Sequence, residues 1–154
     1  MLWGIAMAGA LGALARWGLG RFFLRWPTFP YGTLSANLIG CLMLGMVMEL
    51  AERAQWMTGE LRVVISVGFI GTLTTFSTWE FETLRMARRG EVLLAAGNFA
   101  ANVFFGLLLI WAGGRLVARP PFAGLRPGPS VGRPPLASPP TSMTAPGRSG
   151  VGPD

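Results

Sequence analysis

Four apolar runs, parted by short polar or proline-containing connections, fill the chain from its start to about residue 117; they cover roughly 2–24, 31–53, 61–88 and 91–117. Each is long enough to cross a bilayer, which takes about 20 residues of helix. The pattern predicts four membrane-spanning helices. In such a chain the informative positions are the polar ones, because lipid offers a buried polar group no partner.

In the first run Gly4, Ala8 and Gly12 recur at intervals of four, as do Gly9 and Ala13. Small residues at that spacing let helix backbones approach closely, so the stripe reads first as a packed helix face. Arg16 follows four residues after Gly12; it either snorkels to the interface or points into a polar interior. Pro27 and Pro30 end the run. In the second run Thr33 and Asn37 lie four apart and share a face, with Gly40, Cys41 and Leu44 near it. An amide about two turns into a span is either glue between helices or the lining of a pore. The fourth run repeats the device with Asn98, Asn102 and Gly106 on one stripe.

The third run holds the densest polarity. Its stretch GFIGTLTTFSTWEFE, from Gly68 to Glu82, carries five hydroxyl residues and two carboxylates beside Phe76, Trp79 and Phe81. A helix over 61–88 is longer than a bilayer needs. Gly68 and Gly71, followed by Thr72, Thr74 and Thr75, predict a break in it. A broken helix frees backbone carbonyls and amides, which are tolerated at membrane depth only against protein or water and are typical of ion sites. Phe76 and Trp79, three apart, face the same way once the helix resumes. Ring edges carry partial positive charge and, with hydroxyl donors, can stand in for part of an anion's hydration; the plainer reading is core packing.

Composition narrows the classes. Hydrophobic residues make up 51% and charged residues 13% of the 154 positions, about half the charge usual for a soluble domain. There is no His, and Cys41 is the single cysteine, so Ser–His and Cys–His catalysis, a Cys/His metal site and an internal disulfide are all excluded. No phosphate-binding glycine loop appears. The net charge of +6 does not indicate nucleic acid, because the arginines sit at segment ends and beyond the last run rather than on one soluble face. No basic residue precedes the first apolar run, so it reads as a retained span rather than a cleaved signal. From Pro120 the composition turns Pro- and Gly-rich without apolar periodicity, which divides the chain into a membrane domain, 1–119, and a disordered tail, 120–154.

Four spans put both termini and the Glu49–Glu60 connection on one side. That side carries Arg53, Arg62, Arg115 and Arg119, and the other carries Arg21, Arg25, Arg85, Arg88 and Arg89. Orientation follows the excess of basic residues on cytoplasmic loops. Five against four leaves two readings: a weak bias decides, or the chain inserts both ways up.

GFIGTLTTFSTWEFE resembles the signature of the Fluc (CrcB) family of fluoride channels. GALGALARW at 9–17, PYGTLSANLIG at 30–40 and the Asn98, Asn102, Gly106 stripe agree in order and spacing, so the resemblance spans residues 4–117. It implies an all-α integral membrane protein of four transmembrane helices, the third broken mid-membrane, working as an antiparallel dual-topology homodimer in the cell's inner (plasma) membrane, or as a heteromer with a related chain. It implies passive, fluoride-selective export, and a structural Na⁺ at the dimer interface held by the Gly71 and Thr74 carbonyls. By the same resemblance Asn37, Phe76 and Trp79 line the fluoride pathway, Thr33, Asn102 and Glu82 belong to it or its mouth, and Arg16 takes the family's first-helix arginine position at the vestibule. Trp79 departs from the usual phenylalanine and adds an indole donor. Two other functions fit parts of the pattern: a small four-helix dual-topology drug/proton antiporter, disfavoured because the first run has no acidic residue, and a non-transporting assembly subunit whose polar stripes only glue helices.

Overall fold

The computed structural model describes residues 1–118, so Arg119 and the expected tail lie outside the described residues. Within them the chain is helical, with no strand. Helix α1 is Leu2–Phe22, continued by the tighter turn Phe23–Arg25; α2 is Tyr31–Arg53. Helix α3 is built from Gly59–Val63, the π-helical Val64–Ile70 and Gly71–Leu73. Helix α4 is Phe76–Arg88; α5 runs through Val92–Ala100, the π-helical Ala101–Phe105 and Gly106–Ala118. Four stretches are long and apolar enough to cross a membrane: Leu2–Arg25, Tyr31–Arg53, Gly59–Arg88 and Val92–Ala118.

Local chemistry explains the boundaries. Pro30 stands immediately before α2, where a missing N–H costs nothing. Thr58 caps α3 by accepting the Leu61 N–H at 3.2 Å, so the helix starts at Gly59, two residues before the apolar run that announced it. After α4 the chain turns at Gly90, whose φ of +81° is a left-handed value that favours glycine.

Close backbone approach holds the bundle together. Helix α1 packs on α3, and its small-residue stripe makes the contact: Gly4 lies against Val64, Gly9 against Thr72 and Gly12 against the Phe69 carbonyl. A side chain at Gly12 would overlap that carbonyl. Helix α2 packs on the second half of α5 in the same manner, with Gly45 against the Ile110 carbonyl and Gly113 against the Leu42 carbonyl. Helix α4 packs on the first half of α5. Outward faces stay apolar: Leu2, Trp3, Met7, Leu11 and Leu14 on α1, and Leu93, Phe104, Leu107 and Trp111 on α5, are exposed. With four spans and these greasy faces, the chain is a multi-pass membrane protein.

Candidate functional site

Between α3 and α4, Thr74 and Thr75 take extended backbone, with ψ of 155° and 114°. Two hydrogen bonds keep them there. The Thr75 N–H donates to Asn37 Oδ1 at 2.8 Å, and the Thr78 N–H donates to Thr75 Oγ1 at 3.3 Å. In an uninterrupted helix these same donors would go to the Gly71 and Thr74 carbonyls, four residues back. Both carbonyls therefore lose their helical partner. Thr75 is a cap for α4 and Asn37 is a cap in trans, supplied by a neighbouring helix.

Asn37 is tied on every side. Its Nδ2 donates to Asn102 Oδ1 at 2.9 Å and to the Thr75 carbonyl at 3.3 Å. Asn102 Nδ2 in turn donates to the carbonyl and Oδ1 of Asn98, at 3.0 and 3.2 Å. A groove of about 290 Å³ opens over this cluster, lined by Asn37, Thr74, Thr75, Phe76, Trp79 and Asn102, with Gly40, Cys41 and Leu44 continuing the α2 face. The four-residue spacing seen along α2 is thus one wall of the groove.

The two aromatic residues play unequal parts. Their rings lie 5.3 Å apart, centroid to centroid. Phe76 is 66% exposed, so most of its ring faces away from its own chain. Trp79 is buried, stacks on Phe99 at 5.5 Å, and gives its indole N–H to the Asn98 carbonyl at 3.3 Å. Trp79 thus offers the groove a ring and no free donor.

Thr33 and Glu82 meet at one end of the molecule, where the Thr33 hydroxyl donates to Glu82 Oε1 at 3.0 Å. The second carboxylate oxygen is buried without a partner among the described residues. Both residues line a mouth of about 480 Å³ whose walls also carry Arg21, Arg85 and Arg89. Three cations against the carboxylates of Glu82 and Glu91 leave this mouth with a net positive charge that draws anions. Arg25 packs over Phe22 and Trp26, each at 5.2 Å.

Of the predicted residues, the fold joins Asn37, Thr74, Phe76, Trp79 and Asn102 at the groove and Thr33 with Glu82 at the mouth. Gly71 sits one turn before the interruption. Arg16 is apart from both places: it is half-buried on α1 and makes no hydrogen bond or ion pair with the described residues. Sequence reasoning left Thr75, Asn98, Thr83 and Phe99 out of the site. Asn98 had a signal, since it precedes Asn102 by four on the same stripe.

Comparison with known proteins gives a consistent family. A sequence profile described as "CrcB-like protein, Camphor Resistance (CrcB)" matches residues 3–114. A protein of Geobacter metallireducens named "Fluoride-specific ion channel FluC" is 42% identical over 111 residues, 71% of this chain and 90% of that protein. One of Citrifermentans bemidjiense with the same name is 43% identical, with the same coverage. One of Salinibacter ruber, again so named, is 45% identical over 116 residues, 73% of this chain and 85% of the relative.

Proposed function

The chain belongs to the CrcB-like family, and from that membership we infer that it is a fluoride-selective ion channel, not an enzyme. The observation that carries this is the family match across all four spans, residues 3–114. The groove supports it. A small, strongly hydrated anion needs partial positive charge in place of water, and the groove sets a mostly exposed Phe76 ring beside the Asn37 cluster. The arginine-walled mouth concentrates the ion at one end. The family members so named are matched over 85–90% of their own length.

Finer features complete the reading. Residues 59–88 act as one span interrupted at mid-membrane, and two copies pair in opposite orientations in the inner membrane. The near balance of arginines on the two sides supports insertion both ways up. A structural Na⁺ would be held between the copies by the Gly71 and Thr74 carbonyls of each. Those residues fit the ion: both carbonyls have lost their helical donors to Asn37 and Thr75, and oxygen ligands suit a hard cation. The cation would tie the copies together; the ring of Phe76, the amides and the hydroxyls would pass the anion. Fluoride then leaves the cytoplasm down its own gradient.

The test is efflux from proteoliposomes loaded with fluoride or with chloride. Fluoride should leave rapidly without ATP or a proton gradient, and chloride should stay. Equal rates for the two ions would refute selectivity, and no fluoride flux would refute the channel.

A further inference from the structure

Gly40 of α2 is buried and lies three residues beyond Asn37 on the same face. It looks onto the interruption. A Cβ built on it would stand 2.2 Å from Thr74 Cγ2 and 3.6 Å from Ile70 Cγ2, so the Thr74 methyl fills the room that a side chain there would need. The other branch of Thr74 is fixed as well: Oγ1 donates to the Ile70 carbonyl at 3.0 Å, as does the Thr74 N–H. Two neighbouring residues of the interruption are thus held by one face of α2. The Asn37 amide takes both main-chain groups of Thr75, and the missing side chain of Gly40 takes the methyl of Thr74.

We propose that Gly40 is a positioning residue, a seat for the Thr74 methyl that brings α2 close enough for Asn37 to hold the interruption open. The proposal rests on the channel reading. A methyl at position 40 leaves two exits. In the first, Thr74 turns about its Cα–Cβ bond. The three substituents of its chiral Cβ can only trade places in rotation, so one turn sets Oγ1 against the new methyl and the other sets Cγ2 where Oγ1 now stands. That second turn gives up the hydrogen bond and leaves carbon about 3.0 Å from the Ile70 carbonyl oxygen, nearer than the about 3.3–3.6 Å at which C–H groups meet oxygen. In the second exit, α2 and the interruption part by about 1 Å to reach ordinary carbon contact. The 2.8 Å bond from the Thr75 N–H to Asn37 does not survive such a stretch. The Thr75 N–H then returns to the Gly71 carbonyl, its partner in a continuous helix. That bond closes the interruption and occupies a carbonyl assigned to the cation.

Per mole of folded protein, Gly40→Ala should conduct fluoride about tenfold more slowly, the equivalent of about 1.4 kcal/mol. Thr74→Ser keeps the hydroxyl and removes the methyl that needs the room, so on that background Gly40→Ala should cost about twofold at most. Parent-like flux in Gly40→Ala, or the same loss on both backgrounds, overturns the proposal. Thermal unfolding in detergent, with Na⁺ exchanged for N-methylglucamine at constant ionic strength, separates positioning from packing. A bound ion stabilises according to its concentration relative to its Kd. A packing defect lowers the midpoint at every Na⁺ concentration and leaves the half-stabilising concentration where it was. Gly40→Ala should instead raise that concentration about tenfold, and adding Thr74→Ser should reverse the rise; an unmoved value overturns the proposal. Should Gly40→Ala not fold, the double variant decides: folded protein supports the seat, and none overturns it. Absence of fluoride flux from the parent refutes the channel reading, and absence of a Na⁺ response refutes the cation. The midpoints of the four proteins then judge the seat by themselves: a loss in Gly40→Ala that Thr74→Ser suppresses supports it, and additive losses overturn it.

Discussion

Replacing Asn37 by leucine removes the polar contacts of that side chain while nearly conserving its volume, so little cavity is created. Three hydrogen bonds disappear: those to Asn102 Oδ1, to the Thr75 carbonyl and from the Thr75 N–H. The Thr75 N–H can return to the Gly71 carbonyl. Asn102 Oδ1 has no such retreat within the protein; Asn102 is half-buried, so leaving its oxygen unpaired falls in the lower part of the about 1–3 kcal/mol that an orphaned acceptor costs, to which the weaker contact with the Thr75 carbonyl adds about 1 kcal/mol. Asn37 is only half-buried, so the added methyl surface gives back about 1 kcal/mol at most. The net loss is about 2 kcal/mol, or about thirtyfold in an equilibrium constant. Thermal unfolding of the detergent-solubilised protein measures it, and fluoride efflux from liposomes measures the consequence. A lowered midpoint together with lost flux is expected, since Asn37 both caps the interruption and lines the groove. A lowered midpoint with full flux would make Asn37 glue alone. An unchanged midpoint with full flux would refute both roles.

Phe76→Ile should leave a folded protein, because Phe76 is 66% exposed and contributes little to its own chain's core, yet fluoride efflux should fall severely with the loss of the ring edge; parent-like efflux would make Phe76 ordinary packing. Trp79→Phe should lower the unfolding free energy by the worth of one hydrogen bond, about 0.5–1.5 kcal/mol, and leave efflux near the parent's, since the Asn98 carbonyl keeps the Asn102 donor. Gly45→Val and Gly113→Val should abolish folded protein on size-exclusion chromatography, because each new side chain overlaps a backbone carbonyl of the opposing helix. Gly18→Ala, with no atom within 4 Å of the added methyl, should instead raise the unfolding free energy by about 0.5–1 kcal/mol, read as a higher thermal midpoint.

Much of this molecule was legible in the order of its residues. Four spans follow from apolar length, because crossing a bilayer imposes a minimum run that few soluble segments reach. Their ends follow from Pro27, Pro30 and the turn at Gly90. The Gly4, Ala8, Gly12 stripe announced a close helix contact, because spacing by four places residues on one face whatever the partner. That Asn37 and Asn102 need partners was equally local, since an amide in lipid has no water to fall back on. What the order could not decide is which donor goes to which acceptor. Asn37 and Thr75 are 38 residues apart, and only the packing of α2 against the α3–α4 junction brings the amide to the N–H that a continuous helix would have used. Burial divided two rings that looked equivalent three residues apart: Phe76 faces outward, whereas Phe99 of α5 covers Trp79 and Asn98 takes its proton. Thr83 carries no distinguishing mark along the chain; only the fold sets its hydroxyl between the Trp79 carbonyl, to which it donates, and the Asn98 amide, from which it accepts. Periodicity assigns residues to faces, but the direction of a hydrogen bond depends on all its neighbours at once, and those are assembled only in the fold.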